Sequence, residues 1–143
     1  MLSAQIAELL GGEEVLGPDI SNDQDLERRA RQGFPLGVLG ALQARAILSQ
    51  EDVFSWIIPR RTLSHRVRRH ELLSLDESNR VSRIARLFAL AAETLGDEER
   101  ARQWLRRPLK QFLGRTPFAM LETDLGGHQV EVLLGRIGHG IAA

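Results

Sequence analysis

At 143 residues the chain is long enough for one domain, or two small ones, with a true interior, and the absence of cysteine excludes disulfides, thiolate metal sites and a cysteine nucleophile. The formal net charge is zero and the hydrophobic content of 43% is that of a globular protein; with 5% aromatic residues and no tyrosine, the interior must be built from Leu, Ile, Val and Ala, which favours helices. No N-terminal stretch has the order of a signal peptide and no apolar run nears the roughly 20 residues of a membrane span, so a soluble cytoplasmic protein with no membrane partner is expected.

From the N-terminus, Leu2, Ile6, Leu9 and Leu10 recur at helical spacing and stop at Gly11-Gly12. "SNDQDLERRARQGFP" opens on a capping residue and closes at Gly33 before Pro35, which predicts a second short helix. "PLGVLGALQARA" sets Pro35 at a first helical turn with Leu36, Leu39 and Leu42 along one side. Ser49 and Asp52 have the spacing of a capping box opening "QEDVFSWII", and Pro59 then breaks the backbone ladder and restarts a helix. Ser74 and Glu77 form a full capping box, followed by an apolar face of Val81, Ile84, Leu87, Phe88, Ala91 and Leu95 that runs to Gly96; this is the longest predicted helix. Asp97 caps "EERARQWLRR", Pro108 ends it, Thr116-Pro117 starts another, and Gly126-Gly127 leads into "HQVEVLLGRIGHG". Trp104 is expected to be core, between the long helix and the short ones after it.

Charge is distributed unevenly. Before Pro59 four arginines stand against nine carboxylates, a net of −5, whereas "PRRTLSHRVRRH" from Pro59 to His70 carries Arg60, Arg61, Arg66, Arg68 and Arg69 with no acid. The stretch from Ser49 to Leu73 therefore has the layout of a helix-turn-helix with an arginine-rich second helix. On that helix Leu63 and Val67 lie one turn apart and are expected to face the core. Arg60, Arg61, Thr62, Ser64, His65, Arg68 and Arg69 are the candidate contacts to phosphates and base edges.

Catalytic and metal-binding signals are thin. The four histidines, at 65, 70, 128 and 139, come with no HExxH-like carboxylate spacing, and no Walker loop, nucleophile elbow or dinucleotide-binding glycine motif is present. The expectation is a non-enzyme with no cofactor and no metal. A stand-alone helix-turn-helix regulator accounts for the arginine helix, but it leaves the C-terminal end unexplained.

That end carries a pattern. Ala92, Leu95-Gly96, Ala101, Trp104-Leu105, Pro108, Gly114, Thr116-Pro117, Leu121, Gly126, Val130, Leu133, Arg136 and Gly140 resemble, in order, the toxin-binding domain of the Xre/MbcA/ParS antitoxins, with its "WL..P", "G.TP...L" and "V...L.RI..G" elements. Upstream, Leu48 to about Asn79, with "IIPRRTLSHR" at its centre, is similar to the helix-turn-helix of the same antitoxins. The resemblance implies an all-α protein with a helix-turn-helix region over 1–73 and a toxin-binding domain over 74–143. It further implies a homodimer that binds operator DNA to repress its own operon and neutralises a RES-domain, NAD-consuming toxin. In such antitoxins the C-terminal segment covers the entrance to the toxin's active site. Val130, Leu133, Leu134 and Ile137 are then expected as apolar contacts, Arg136 as a charged donor, and His139 and Gly140 as the closing pair. Two positions depart from the family pattern, Leu109 where asparagine is common and Gly138 where an acid is common.

Overall fold

The computed structural model describes residues 2–140. Among them every regular element is helical, as expected. By packing, the chain divides into two compact units, Met1–Ala85 and Arg86–Ala143. The expected spans 1–73 and 74–143 begin and end on residues outside those described, Met1 and residues 141–143.

The first unit holds α1 (Leu2–Leu9), α2 (Gly12–Leu16), α3 (Asp23–Gln32), α4 (Gly37–Ala44), α5 (Gln50–Asp52, continued by a π-helical turn Val53–Ile57) and α6 (Arg60–Arg69). Their starts follow local chemistry. Asn22 accepts the Asp25 N–H at 2.9 Å, and Ser49 and Asp52 exchange both bonds of a capping box. The Ser21 N–H and the Arg28 guanidinium donate to Asp25 and hold its carboxyl below the usual carboxylate range. Leu10, Leu16, Phe34, Val38 and Leu42 are fully buried and form the interior with Val53, Ile57 and Ile58. Gly33 makes the corner between α3 and α4 possible: its φ is +101°, and a Cβ there would lie 2.3 Å from the Leu73 carbonyl oxygen. That close approach lets the Leu73 N–H reach the Phe34 carbonyl at 2.9 Å, while the Phe34 N–H donates to Ser78 Oγ at 3.0 Å.

α7 (Leu75–Leu95) is the longest helix and runs to Gly96. The Ser74–Glu77 capping box is present, with the Ser74 N–H donating to Glu77 at 2.8 Å and the Glu77 N–H to Ser74 Oγ at 3.1 Å. Val81, Ile84, Leu87, Phe88 and Ala91 are buried along its length and Leu95 is half-buried.

The second unit continues with α8 (Glu98–Leu105), a 3-10 turn at Lys110–Phe112, α9 (Pro117–Met120) and α10 (Asp124–Gly138). Asp97 and Thr116 cap α8 and α9 as the sequence predicts, and Trp104 is core, 9% exposed. Gly126-Gly127 does not lead into the last helix but lies within it. Thr123 caps three residues earlier, accepting the Gly126 N–H at 3.0 Å, and a Cβ on Gly126 would lie 1.9 Å from the Met120 carbonyl oxygen. Gly126 serves close packing of α10 on α9, not a turn.

Three non-glycine positions among the described residues take the left-handed conformation, Ala46, His70 and Leu113. Leu113 adopts the left-handed conformation, φ +56°, and is 94% exposed. That conformation costs an L-residue roughly 1–2 kcal/mol, and glycine's larger unfolded-state entropy takes back about 0.5–1 kcal/mol. Leu113→Gly is therefore expected to stabilise the protein by about 0.5–1 kcal/mol, read as a higher midpoint in thermal unfolding.

Candidate functional site

Two surfaces carry the functional candidates, one in each unit. The first is α6, which follows α5 through extended Ile58 (φ −153°, ψ 129°) and Pro59, whose carbonyl accepts the Leu63 N–H at 3.0 Å. Proline's fixed φ and missing N–H make this a two-residue break that ends the π-helical turn and starts the next helix. No residue of α6 is fully buried. Its inward line is Thr62, Leu63 and Arg66, all half-buried, while Arg60, Arg61, Ser64, His65, Arg68 and Arg69 are exposed.

Two expectations change here. Val67 does not face the core; it is 55% exposed. The reason is Arg66, which pairs with Glu77 and also donates to the Leu72 carbonyl at 3.3 Å, turning the helix so that position 66 rather than 67 lies against the body. Thr62 sits toward the inward side, apart from the exposed candidate contacts.

The Arg66 and Glu77 side chains are 19% and 10% exposed, so this is a largely desolvated pair, and Glu77 also caps α7. Removing one partner of such a pair leaves the other charge poorly solvated. Glu77→Ala, which also deletes half of the capping box, is expected to cost about 2–3 kcal/mol in urea unfolding. Glu77→Gln, which keeps an acceptor for the Ser74 N–H, should cost less.

The second surface is α10. Its buried side is Gly126, Gly127, Val130, Leu133 and Leu134. The outward face is Leu125, His128, Gln129, Val132, Gly135, Arg136 and His139, spaced three and four apart along the helix. Val130, Leu133 and Leu134, expected as partner contacts, are instead 0%, 5% and 2% exposed and pack inside their own unit. Ile137 is half-buried, and Arg136, His139 and Gly140 are exposed. The helix is tied laterally by Arg86, which donates to Glu131 at 3.0 Å, and at its end His139 Nδ1 lies 2.7 Å from the Gly135 carbonyl.

Leu125, 78% exposed, and Val132, 42% exposed, were not singled out from sequence. The signal was available in Thr123: a helix begun there, rather than after Gly127, places both residues opposite Val130, Leu133 and Leu134.

Comparison with known proteins bears on both surfaces. Residues 25–86 match the antitoxin Xre-like helix-turn-helix domain, and residues 90–140 match the antitoxin Xre/MbcA/ParS C-terminal toxin-binding domain. An Antitoxin Xre of Pseudomonas putida is 37% identical over 123 residues, covering 86% of this chain and 77% of that protein. The chain belongs to the Xre antitoxin family. An Antitoxin Xre of Photorhabdus laumondii is 30% identical over 131 residues, covering 90% of this chain and 88% of that protein, and one of Yersinia enterocolitica is 29% identical over 113 residues.

The match to a helix-turn-helix domain runs from α3 through α6 into α7, and the match to a toxin-binding domain contains α10. Xre antitoxins are regulatory and inhibitory rather than catalytic. Among the described residues no group of three or more His, Asp or Glu is arranged to hold a metal ion, and no helix is long and apolar enough to cross a membrane.

Proposed function

We propose that this chain neutralises a RES-domain toxin that consumes NAD, by laying its C-terminal segment over the entrance to the toxin's active site, and that it represses its own operon in the cytoplasm as a homodimer bound to operator DNA.

The observation that carries the toxin half is the outward face of α10. It lies inside the span matched to a toxin-binding domain, and it presents Leu125 and Val132 as apolar area with Arg136 and His139 as polar groups beside them. Arg136, Ile137, His139 and Gly140 remain in the proposed contact set. The buried Val130, Leu133 and Leu134 act by holding the helix in place. Gly135, with no atom within 4 Å of where a Cβ would stand, leaves the backbone open to close approach by a partner. On the DNA side, the exposed Arg60, Arg61, Ser64, His65, Arg68 and Arg69 supply the phosphate and base contacts, with Thr62 at the margin.

The test is co-purification of this chain with the protein encoded beside it, followed by NAD consumption by that partner with and without the chain. A stable complex in which NAD loss stops is the expected result. No complex, or a complex in which NAD loss continues, would leave a helix-turn-helix regulator without this toxin.

A further inference from the structure

The arginines of α6 are not equivalent. Arg66 is committed to Glu77 and the Leu72 carbonyl. Arg61, Arg68 and Arg69 are exposed and make no hydrogen bond or ion pair among the described residues. Arg60, the first residue of the helix, differs from all of these: its guanidinium carbon lies 4.6 Å from the centroid of the Phe54 ring. Phe54 is half-buried in the π-helical turn of α5, in which the Ile58 N–H reaches back to the Val53 carbonyl at 2.9 Å and Val53, Ile57 and Ile58 are buried. Single π-helical turns of this kind frequently mark functional positions.

We infer that Phe54 is a positioning residue for DNA recognition, holding Arg60 as the reader of a base edge while Arg61, Arg68 and Arg69 anchor to phosphates. The inference rests on the proposed binding of operator DNA by α6. A ring attracts a guanidinium through its charge and accepts none of its N–H donors as an oxygen acceptor would, and Arg60 makes no hydrogen bond or ion pair among the described residues. An arginine held in this way keeps donors for a base edge and loses little further rotamer freedom on binding. Its site is also suitable, because in helix-turn-helix proteins the N-terminal residues of the second helix meet base edges. Two acceptors side by side, as guanine presents with O6 and N7, match those donors. A long arginine with no such support is suited to the less exacting geometry of a phosphate.

The experiment uses the full chain with two duplexes of equal length, one covering the DNA upstream of its own reading frame and one of unrelated sequence. Binding is measured at several salt concentrations. Phe54→Leu, which keeps an apolar side chain and removes the ring, is expected to lower the ratio of upstream to unrelated affinity about 5- to 30-fold. Affinity for the unrelated duplex and the salt slope should stay as in the wild type. Phe54→Tyr should retain the ratio. Arg60→Ala should lower the ratio at least as far, and adding Phe54→Leu to it should change nothing more. Thermal unfolding verifies the fold of each variant, and Phe54→Met replaces Phe54→Leu should the latter unfold.

An unchanged ratio in the ring-free variant, alongside a lowered ratio in Arg60→Ala, would overturn the role of Phe54 and leave α6 as the DNA helix. An unchanged ratio in Arg60→Ala as well would overturn both this inference and the placement of the reading residues at the start of α6. A fall in affinity for both duplexes alike would also overturn it, since a general loss marks Phe54 as a packing residue.

Discussion

Ending the chain after Leu134 is expected to abolish neutralisation of the toxin while leaving the C-terminal unit folded. Of residues 135–140, which the truncation removes together with 141–143, all are exposed except half-buried Ile137. The core contributions of α10 survive, because Val130, Leu133 and Leu134 precede the cut, as does the pair between Arg86 and Glu131. The stability cost is that of one frayed helical turn and one partly buried isoleucine, about 1–2 kcal/mol. The functional cost is the whole of Arg136, Ile137, His139 and Gly140, the residues proposed to cover the entrance to the toxin's active site. Growth of cells expressing the toxin, with circular dichroism of the purified truncated chain, reads the two effects separately. Continued protection of cells by a folded truncated chain would rule out masking by this segment.

The second large effect is expected in DNA binding. Arg60→Ala with Arg61→Ala removes one proposed base reader and one phosphate anchor from the start of α6. A good bidentate base contact contributes about 1–3 kcal/mol, and a lost phosphate contact takes with it one counterion-release contribution. Operator affinity should fall roughly 30- to 1000-fold, and the slope of log affinity against log salt should become shallower by about 1. Both side chains are exposed and no residue of α6 is fully buried, so unfolding does not offer a competing explanation. Neutralisation should be intact, since the substitutions lie outside the toxin-binding span. Fluorescence anisotropy on the upstream duplex at three or more salt concentrations is the check, and unchanged affinity would place the DNA site off this helix.

What the sequence determined by itself is local in origin. Ser49, Ser74, Asp97 and Thr116 cap helices through bonds to N–H groups three residues on, and such bonds need no knowledge of the rest of the fold; the cap of α3 is Asn22, one residue beyond the Ser21 on which its segment opens. The apolar face of α7 was legible for a similar reason, as the helical period repeats within a single element. The antitoxin pattern was legible because its residues keep order and spacing along the chain.

Tertiary structure decided the rest, wherever the outcome depends on a residue distant in sequence. Whether Val67 or Arg66 faces inward on α6 is set by Glu77, eleven positions beyond Arg66, which secures the arginine in a desolvated pair. That position 126 needs a glycine is set by the Met120 carbonyl, which approaches it from the end of α9. Apolar residues occupy both sides of α10, and periodicity does not say which side meets a core. Only packing separates the buried Val130, Leu133 and Leu134 from the exposed Leu125 and Val132, and that separation moved the proposed toxin contact to the outward face of the helix.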